Sequence, residues 1–510
     1  MEVVTAAKSA SVFGAGARAV PLGDQRGGVD REHRASDMPL RRRVLRPRLA
    51  VTLAVLDFLF MSAAAAGFIF AIRYRLDFAT LAETGSAVAC IALVSLTLAY
   101  ATGCYRHDAF TDFSTATTRL AVGLGVSVVL LVPLLHFGLG FVFDSLAFRS
   151  ISRSLTIVLI GVGVELCGGM LSRLIFMVMI QRQLLRRAIL IIGTGRRARH
   201  LRDILSDGNR QLTQVYFLTE AYLGGTPPTG IPGKEVDALA GTVPASELAT
   251  KLHIDEVVVA VDDPKGLYFD HLLPWKANGI PVVDFNTFLE HETGRVDITW
   301  TAPEWLLYSE GFRFGLLDRV LKRLLDIGIS IGLLFITLPM SLIVACAILL
   351  DDSGPVFYWQ KRVSYGGRPF WIVKFRTMRL NAEQNGAQWA SKNDSRVTRI
   401  GRFLRRTRID EIPQLFNVLR GDMSLVGPRP ERPVFVDGLA ERTRLYHLRH
   451  SVRAGLTGWA QINYHYGASV DEAVRKLEYD LYYLKHFSVL RDIAIMLQTL
   501  RILLFAKGGY

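Results

Sequence analysis

The sequence predicts a membrane protein made of an α-helical N-terminal part, an α/β middle domain and an α+β C-terminal domain with its own apolar helix. The first observation behind this fold class is an alternation of apolar strands and helices that begins near residue 186. The second is an apolar segment, Ile327 to Leu350, followed by a polar region dense in arginine. The third is a set of four long apolar segments upstream, near residues 49–72, 85–103, 119–138 and 154–180.

The composition fits a membrane protein that acts on anions. Of the 510 residues, 50% are hydrophobic, the formal net charge is +14 and the pI is near 9.7. Such a charge suits nucleic acid, lipid headgroups or a phosphorylated substrate. Because apolar segments are present, membrane lipid and phosphate are the expected partners, and nucleic acid is not. The cysteines lie in or beside apolar runs without paired spacing, so neither a disulfide framework nor a zinc site is expected: Cys90, Cys104, Cys167 and Cys346.

Residues 1–47 form a predicted flexible basic arm, rich in glycine, alanine and charge and without helical or strand periodicity. Residues 48–182 then hold the four apolar segments, each close to the ~20 residues that a helix needs to cross a bilayer. Arginine clusters lie before the first segment and after the last one. An even number of crossings places both clusters in the cytoplasm, as the positive-inside rule requires. Arg73 and Arg75, on the opposite side, weigh against this orientation.

The middle domain, residues 186–300, is predicted to be Rossmann-like, similar to CoA-binding domains. An apolar strand runs into the turn Gly193-Thr194-Gly195 and then into a helix, with Ala198 at the third small position of the dinucleotide-binding pattern. Two interpretations stay open. Gly193 and Gly195 bring backbone N–H groups to the phosphate of a nucleotide or CoA-like ligand, or they allow a tight turn in a structural or regulatory domain. Strands are predicted at residues 188–192, 215–218, 256–261 and 281–283.

The apolar segment from Ile327 to Leu350 is long enough to span a bilayer, but Pro339 stands in its middle. Proline removes one backbone hydrogen bond and clashes with the preceding turn, which costs about 3 kcal/mol in a straight helix and favours a bend. The helix is therefore either a kinked crossing or a re-entrant helix that returns to the same face, with the freed carbonyl bonded to Thr337 or Ser341. Charged residues precede the segment: Lys322, Arg323 and Asp326.

An acidic pair, Asp410 and Glu411, is the predicted reactive centre. Pro413 suits the first turn of a helix that runs to Leu419 and stops at Gly421, so both carboxylates lie at the positive end of that helix. An aspartate held ionised by nearby arginines attacks phosphorus as a nucleophile, because the cations reduce repulsion from the phosphate. The neighbouring Glu411 is expected to hold Mg²⁺ or to take a proton. The alternative is ordinary helix N-terminal acidity with surface ion pairs.

Basic and glycine-bearing loops flank this pair along the chain. A strand-like run ends in Lys374 and Arg376, and a rigid Pro-Arg-Pro turn aims Arg429 at a phosphate. A second glycine-bearing loop has Arg453 at its entrance. Arginine-bearing loops around one acidic pair predict a phosphoryl transfer site. The residues predicted to bind substrate phosphate are Lys374, Arg376, Arg408, Arg429, Arg453 and Gln461.

Two further helical patterns have more than one interpretation. Arg402, Arg405 and Arg406 fall on one helical face, and contact with water is the common explanation for such a charged stripe. The closing segment, Tyr479 to Leu504, has leucines and aromatics at helical spacing. It is expected either to lie on the membrane surface as an amphipathic helix or to pack on the globular core.

The C-terminal region resembles the bacterial sugar transferase family, the monotopic polyprenyl-phosphate hexose-1-phosphate transferases. The resemblance covers residues from about Phe314 to Phe505 and implies a catalytic domain at residues 314–508. The four N-terminal segments and the Rossmann-like domain resemble the long, exopolysaccharide-initiating members of that family. The motifs are Gly354-Pro355, KFRTM at 374–378, IDEIPQ at 409–414, SLVGPRP at 424–430 and GLTGWAQ at 455–461.

The resemblance implies that Asp410 attacks the β-phosphorus of a UDP-hexose, releases UMP and carries the sugar phosphate until undecaprenyl phosphate takes it. It implies Glu411 as the partner carboxylate, Mg²⁺ as a cofactor held by both, and a re-entrant helix at residues 327–350. It also implies a multi-pass protein of the bacterial inner membrane, with the Rossmann-like and catalytic domains in the cytoplasm, that initiates exopolysaccharide or capsule synthesis. A homodimer through the membrane part is a further hypothesis.

Two other functions fit parts of the sequence. A membrane-bound nucleotide-sugar dehydratase or epimerase also combines four spans with a Rossmann domain, but its chemistry needs a Tyr-x-x-x-Lys pair in a second dinucleotide fold. None of the 16 tyrosines has a lysine four positions later, which disfavours that activity. The other is an inactive scaffold or regulator of a polysaccharide assembly complex, which would tolerate loss of Asp410.

Overall fold

A computed structural model describes residues 47–72, 81–105, 113–133, 151–206, 213–220, 251–265, 268–380, 382, 394–464 and 470–505. The predicted arm therefore lies outside the described residues apart from Pro47, and Arg73 and Arg75 lie outside them as well. The four apolar N-terminal segments are confirmed as helices. They are α1 Pro47–Ile72, α2 Leu81–Thr102, α3 Phe113–Pro133 and α4 Ile151–Gln181.

These four helices form a bundle with an apolar interior. By length and composition α1, α3 and α4 are able to cross a membrane, whereas the apolar stretch of α2 is shorter. Leu53, Met61, Leu120 and Phe176 are buried between the helices. Buried charge also sets their pairing. Asp57 on α1 forms an ion pair with Arg173 on α4, and an unpaired charge there would be costly.

The middle domain is confirmed as an α/β unit with a parallel sheet. Its elements are β1 Arg187–Ile192, α5 Arg196–Ser206, β2 Thr213–Leu218, β3 Glu256–Val259, α6 Leu273–Ala277, β4 Val282–Asp284 and α7 Phe285–Thr293. The strands lie in the order β2-β1-β3-β4, and all neighbours are parallel. The central strand is covered on both faces because Ile189, Leu190, Ile191 and Ile192 are all fully buried. The strand order reverses between β1 and β3, which is where open α/β sheets have a crevice.

The C-terminal region combines helices with two small sheets. Its elements are α8 Pro303–Tyr308, α9 Leu316–Asp351, β5 Phe357–Val363, β6 Pro369–Phe375, α10 Arg399–Thr407, α11 Gln414–Arg420, β7 Met423–Val426, α12 Pro433–Arg442, β8 Ala454–Thr457, α13 Trp459–Asn463, α14 Val470–Lys485 and α15 Val489–Phe505. Strands β5 and β6 form an antiparallel hairpin, and β7 and β8 pair in parallel. The sequence predicted α9, α10, α11, part of β6 and a helical closing segment, but α8, α12, α13 and the parallel β7–β8 pair are visible only in the tertiary structure.

Helix α9 contains the fifth apolar segment and attaches to the C-terminal domain near its N-terminal end. Lys322 Nζ donates to the Asp492 carboxylate at 2.5 Å and to the Val426 carbonyl at 2.9 Å. Arg323 donates to the carbonyl groups at the C-terminal end of α11, where a cation is favoured. Asp326 Oδ1 accepts from the backbone N–H of Leu425 at 3.0 Å. The charged residues that precede the apolar segment are thus bound to the core of this domain.

The opposite end of α9 attaches to the same domain. The Asp351 carboxylate accepts from the backbone N–H of Ile400 at 3.1 Å, and Arg376 donates to the Asp352 carbonyl. Between the two ends the helix presents apolar side chains to its surroundings, with Phe335 79% and Ile336 73% exposed. Helix α9 is therefore held at both ends, while much of its apolar middle is left uncovered by the residues that the structure describes.

One of the two hydroxyls expected to compensate Pro339, that of Thr337, makes a different contact. Thr337 Oγ1 donates to the Leu333 carbonyl at 2.7 Å. The carbonyl freed by Pro339 belongs to Phe335, four residues before the proline. A threonine in a helix reaches the carbonyl three or four residues before itself, so Thr337 cannot serve Phe335.

The C-terminal segment forms two helices rather than one, and they pack on the core. Leu481 and Leu484 on α14 and Ile495 on α15 are fully buried. The Gln498 side chain of α15 also donates to the Tyr100 hydroxyl of α2 at 3.1 Å. Of the two expected arrangements, packing on the core is the one observed in the described residues, and α15 additionally joins the domain to the membrane bundle.

The middle and C-terminal domains meet through buried ion pairs. Glu290 on α7 is 2% exposed and lies 2.6 Å from both Lys485 Nζ and His486 Nε2. Arg295, just after α7, pairs with Glu478 at 2.8 Å. Trp459 Nε1 donates to the Gly294 carbonyl at 2.8 Å. Because Trp459 belongs to the GLTGWAQ motif, the end of the α/β domain is hydrogen-bonded to a loop of the candidate site.

Candidate active site

The acidic pair lies in a short turn between two helices. Residues Ile409–Glu411 form one 3₁₀ turn, entered from Arg408, which adopts the left-handed conformation with φ 60°. This conformation is uncommon for a residue with a side chain and is often found at functional sites. Helix α11 follows directly after Pro413 and ends at Gly421, close to the predicted bounds. The turn therefore places both carboxyl groups before the positive end of α11.

Glu411 forms ion pairs with three cationic side chains of the site. Its Oε1 lies 3.0 Å from Arg429 Nη2, 3.3 Å from Lys374 Nζ and 3.7 Å from Arg408 Nη1. Burial alone would raise the pKa of the Glu411 carboxyl, but the charges of Lys374, Arg429 and Arg408 outweigh it and hold the pKa well below its usual range. The three cations therefore favour the ionised form of Glu411, which in turn holds them beside the reactive turn.

Asp410 has a different environment from the one expected. It is 7% exposed, and its Oδ1 is buried without a hydrogen-bond partner among the described residues. Burial and then the negative charge of Glu411 raise the pKa of Asp410 to about 6, although Lys374, Arg405 and Arg408 act in the opposite direction. Contrary to the expectation, the cations do not hold the pKa of Asp410 low, because burial dominates and Lys374 and Arg408 are paired with Glu411. Asp410 is instead a desolvated carboxylate with one oxygen unengaged.

Asn417 brings the strand that carries Lys374 to the helix that follows the acidic pair. Its side-chain oxygen accepts from the backbone N–H of Val373 at 3.0 Å, and its Nδ2 donates to the Trp371 carbonyl at 2.7 Å. These two bonds hold β6 against α11, so Lys374 at the end of β6 reaches Glu411. The spacing of Asn417 from Lys374 along the chain does not reveal this contact.

The loop that carries Arg429 is held by a close approach of two glycines. Gly427 N–H donates to the Thr457 carbonyl, and Gly455 N–H donates to the Pro428 carbonyl, both at 2.9 Å. A Cβ added to Gly427 would lie 2.3 Å from the Arg453 carbonyl, so no larger residue fits without a backbone shift. The SLVGPRP and GLTGWAQ motifs therefore run against each other, and this contact directs Arg429 towards Glu411.

The structure brings together only some of the residues predicted to bind phosphate. Lys374, Arg408 and Arg429 surround the acidic pair, as described above. Arg376 instead binds the end of α9, with an ion pair to Asp352 at 3.8 Å. The Arg453 side chain is exposed, and no contact in the described residues joins it to either carboxylate. Gln461 lines a cavity next to Arg429.

This cavity contains residues that the sequence analysis did not identify. They lie on the loop after β7, the 3₁₀ helix Arg444–Ser451, the end of α13 and helix α14: Glu431, Tyr446, Arg449, Tyr464, Ala473, Lys476 and Asp480. Lys476 and Asp480 are four residues apart on α14, a spacing that resembles an ordinary solvated helix face. The small Ala473 within that polar stripe is the one signal that a concave wall was present.

The glycine turn of the α/β domain is occupied by the protein's own carboxylates. Glu220 accepts from the backbone N–H of Thr194 at 2.7 Å. Asp262 accepts from the backbone N–H groups of Arg196 and Arg197 at 2.8 and 2.9 Å. A phosphate bound near Gly193 and Gly195 would have to displace both side chains, so these hydrogen bonds favour the structural interpretation of the turn.

We expect Asp262→Ala to loosen the start of α5. The substitution removes acceptors for two N–H groups in the first turn of a helix, a loss of about 1 kcal/mol. Hydrogen exchange measured by mass spectrometry should show the amides of α5 exchanging about fivefold faster. Asp263→Ala is the matched control, since Asp263 is exposed and its carboxylate accepts from the backbone N–H of Lys265 in its own loop, away from α5. Unchanged exchange in the Asp262 variant would contradict this role.

The acidic pair is the place where a magnesium ion fits. The described residues contain no cluster of three or more metal-ligating side chains. Magnesium, however, is commonly bound through one or two carboxylates together with substrate phosphates and water. The buried, unpartnered Oδ1 of Asp410 suits such a ligand, and Glu411 is the second carboxylate. The donor set therefore fits a shared metal that substrate completes.

Comparisons with known proteins match the same part of the chain. The family described as "Bacterial sugar transferase" matches residues 317–506. The chain is 43% identical over 233 residues, 45% of its length and 54% of the relative, to the UDP-N-acetylgalactosamine-undecaprenyl-phosphate N-acetylgalactosaminephosphotransferase of Aeromonas hydrophila. It is 33% identical over 335 residues, 64% of its length and 60% of the relative, to the undecaprenyl-phosphate glucose phosphotransferase of Komagataeibacter xylinus.

A shorter relative is covered more completely. The UDP-glucose:undecaprenyl-phosphate glucose-1-phosphate transferase of Caulobacter vibrioides is 41% identical over 191 residues, which are 37% of this chain and 72% of the relative. By contrast, the chain spans 54% and 60% of the two relatives described first. The match includes the acidic turn, the Arg429 loop and the cavity, and the chain belongs to the bacterial sugar transferase family.

Proposed function

We propose that this protein is a phosphoglycosyl transferase that moves a hexose-1-phosphate from a UDP-sugar to undecaprenyl phosphate and releases UMP. The observation that carries the proposal is the unequal environment of the acidic pair. Asp410 is desolvated with one unengaged oxygen, while Glu411 holds Lys374, Arg408 and Arg429. A nucleophile on one turn thus lies beside a cluster of cations, as transfer of a phosphoryl group requires.

The reaction proceeds in two displacements at phosphorus. An Asp410 carboxylate oxygen forms a bond to the β-phosphorus, and the bond from that phosphorus to the bridging oxygen breaks, so UMP leaves. A phosphate oxygen of undecaprenyl phosphate then forms a bond to the same phosphorus, and the bond to Asp410 breaks. The cations held by Glu411 lower the repulsion between the anionic nucleophile and the diphosphate. The sugar phosphate stays intact through both steps, and the second step returns Asp410 to its starting state.

Asp410 and Glu411 would hold Mg²⁺ together with the diphosphate of the donor. When bound there, the ion supplies positive charge to the diphosphate oxygens. The hexose is left open, because the names of the relatives above specify both N-acetylgalactosamine and glucose.

The direct test is UMP release by the purified protein in detergent or nanodiscs. The assay contains undecaprenyl phosphate, Mg²⁺ and a panel of UDP-glucose, UDP-galactose, UDP-N-acetylglucosamine and UDP-N-acetylgalactosamine. We expect one or two donors to give UMP in amounts equal to the lipid-linked sugar diphosphate formed. Absence of UMP with every donor would refute the proposed function. Omission of Mg²⁺ with added chelator is expected to abolish turnover.

We propose that α9 enters the membrane and returns to the cytoplasmic face of the bacterial inner membrane. The support comes from its two ends, since Lys322 and Asp351 both bind elements of the single domain that follows α9. A crossing helix would separate its ends by a hydrocarbon core of about 30 Å. The UDP-sugar is a cytoplasmic metabolite, so this arrangement gives the site access to it. The same reaction is the expected first step of exopolysaccharide or capsule synthesis.

Cysteine labelling tests this topology. With the four native cysteines replaced, single cysteines at Ser309 and at Ser353 flank α9 on either side. We expect both to react with a membrane-impermeant maleimide only in inverted vesicles, which expose the cytoplasmic face. Reaction of the two positions from opposite faces would mean that α9 spans the bilayer. Cross-linking in the same vesicles checks the hypothesis of a homodimer through the membrane part.

A further inference from the structure

One loop of the candidate site, the GLTGWAQ motif at residues 455–461, is attached to the α/β domain. Trp459 Nε1 donates to the Gly294 carbonyl at 2.8 Å. Gly294 ends α7 in the left-handed conformation, with φ 64°. Trp459 is 8% exposed and its ring stacks on Tyr482, with the two ring centroids 5.5 Å apart. A buried indole N–H needs an acceptor, so this hydrogen bond fixes the loop against the end of α7.

The same loop is attached to the membrane bundle through α15. The hydroxyl groups of Thr457 and Thr499 lie 2.6 Å apart and share a hydrogen bond, although the two residues are 42 positions apart in the chain. Gln498, the residue before Thr499, donates to the Tyr100 hydroxyl of α2 at 3.1 Å. Helix α15 therefore contacts the loop and the bundle at consecutive positions. A shift of α15 against the bundle would be transmitted to Thr457.

The loop in turn sets the position of Arg429. The Thr457 carbonyl accepts from the Gly427 N–H at 2.9 Å. A Cβ added to Gly458 would lie 2.2 Å from the carbonyl oxygen of Gly427. The two loops thus touch through backbone atoms, with no room for a further methyl group. Since Gly427 precedes Arg429 by two residues, a displacement of the GLTGWAQ loop moves the guanidinium group relative to Glu411.

The ion pairs between the α/β domain and the C-terminal domain reach a different element. Glu290 pairs with Lys485 at 2.6 Å and Arg295 pairs with Glu478 at 2.8 Å, and both partners lie on α14. These buried pairs already join the two domains. The hydrogen bond of Trp459 therefore has a separate consequence, which is to determine where the loop beside Arg429 lies.

We propose that Thr457 and Trp459 are positioning residues, through which the membrane bundle and the α/β domain hold Arg429 against Glu411. The proposal rests on the proposed function, since the rate that these residues control is that of UMP release. Neither side chain takes part in bond formation, and each acts through the backbone of the loop that carries Arg429. A misplacement of about 1 Å at a site costs up to about 10²-fold in rate, so small shifts of this loop are sufficient.

Single-turnover UMP release by the full-length protein in nanodiscs tests the proposal. Trp459→Phe keeps an aromatic ring but loses the N–H donor, and it should release UMP about tenfold more slowly. Thr457→Val keeps the shape of the side chain but loses the hydroxyl, and we expect a similar effect. Thr457→Ser should restore the native rate. Trp300→Phe is the matched control and should release UMP at the native rate, because Trp300 packs in the α/β domain and stacks on His200.

A double-mutant cycle separates the positioning of Arg429 from a general effect on stability. Arg429→Gln should slow UMP release about 10²-fold. If Trp459 acts only through Arg429, adding Trp459→Phe to that variant should slow it by less than about twofold more. A further loss of about tenfold in the double variant would mean that the two residues act independently, which overturns the proposal. Native rates in both Trp459→Phe and Thr457→Val overturn it as well.

Hydrogen exchange measured by mass spectrometry gives a readout that does not depend on turnover. The Gly427 amide donates to Thr457, so the peptide that contains it should exchange about fivefold faster in Trp459→Phe and in Thr457→Val. It should exchange at the native rate in Trp300→Phe. Unchanged exchange in both loop variants contradicts the positioning role. If the native protein releases no UMP from any UDP-sugar, the proposed function fails, and the exchange result still decides whether Thr457 and Trp459 hold the loop of Arg429.

Discussion

Asp410→Ala should abolish UMP release from the UDP-sugar donor, with a loss of about 10⁴-fold or more in turnover. Asp410 has a desolvated carboxylate with one unengaged oxygen, and the neighbouring acid Glu411 is held by three cations and so is not available to replace it. Rapid quenching of the native protein with donor alone should trap a sugar-phosphate adduct on a peptide that contains Asp410. Mass spectrometry of that peptide measures the adduct directly.

Asp437→Ala is the matched control for this substitution. Asp437 is exposed on α12, so its loss should leave turnover within about twofold of the native value. Retained turnover in the folded Asp410 variant, or an adduct on any other side chain, would remove Asp410 as the nucleophile. An inactive scaffold would behave differently again, since neither substitution would change its properties.

Glu411→Gln should slow the first displacement about 10²-fold without moving the adduct to another residue. The substitution keeps the shape of the side chain but removes the charge that fixes Lys374, Arg408 and Arg429. Those cations are then expected to pair with Asp410, which makes its carboxylate a weaker nucleophile. Single-turnover UMP release measures this step apart from lipid binding.

Loss of a partner in a buried ion cluster also destabilises a protein, by roughly 3–5 kcal/mol when the remaining charges stay buried. Thermal unfolding of the Glu411 variant therefore accompanies the rate measurement, and only folded protein is compared. Glu441→Gln, an exposed change on α12, should affect neither quantity. A folded Glu411→Gln variant with native turnover would show that the three cations act without this carboxylate.

Local patterns in the chain predicted the helices and strands well. Apolar runs of sufficient length located the N-terminal helices, and the strand, glycine turn and helix of the α/β domain were located within two residues. Proline and glycine at the two ends predicted α11 and therefore the place of the acidic pair. These features depend on the period of apolar residues and on backbone preferences, which are properties of short segments.

Local patterns did not predict which charged side chains contact each other. Arg376 and Arg429 look equivalent in the sequence, yet one binds the end of α9 and the other binds Glu411. The glycine turn resembles a phosphate site, but Asp262 and Glu220 occupy its N–H groups. Asp262 follows the turn by more than sixty positions, with contacts spanning 66 and 65 residues. No local pattern reveals such a contact.

The sequence by itself determined the membrane helices, the parallel α/β domain, the acidic turn and the set of cations from which the site is built. Only the tertiary structure decided that Glu411 rather than Asp410 takes those cations, and that Lys476 and Tyr464 line a cavity next to Arg429. The physical reason is that apolar periodicity is a property of a single helix or strand, whereas the environment of a charged side chain depends on every helix, strand and loop packed around it. Burial and competing charges then set which carboxylate is fully paired and which remains reactive.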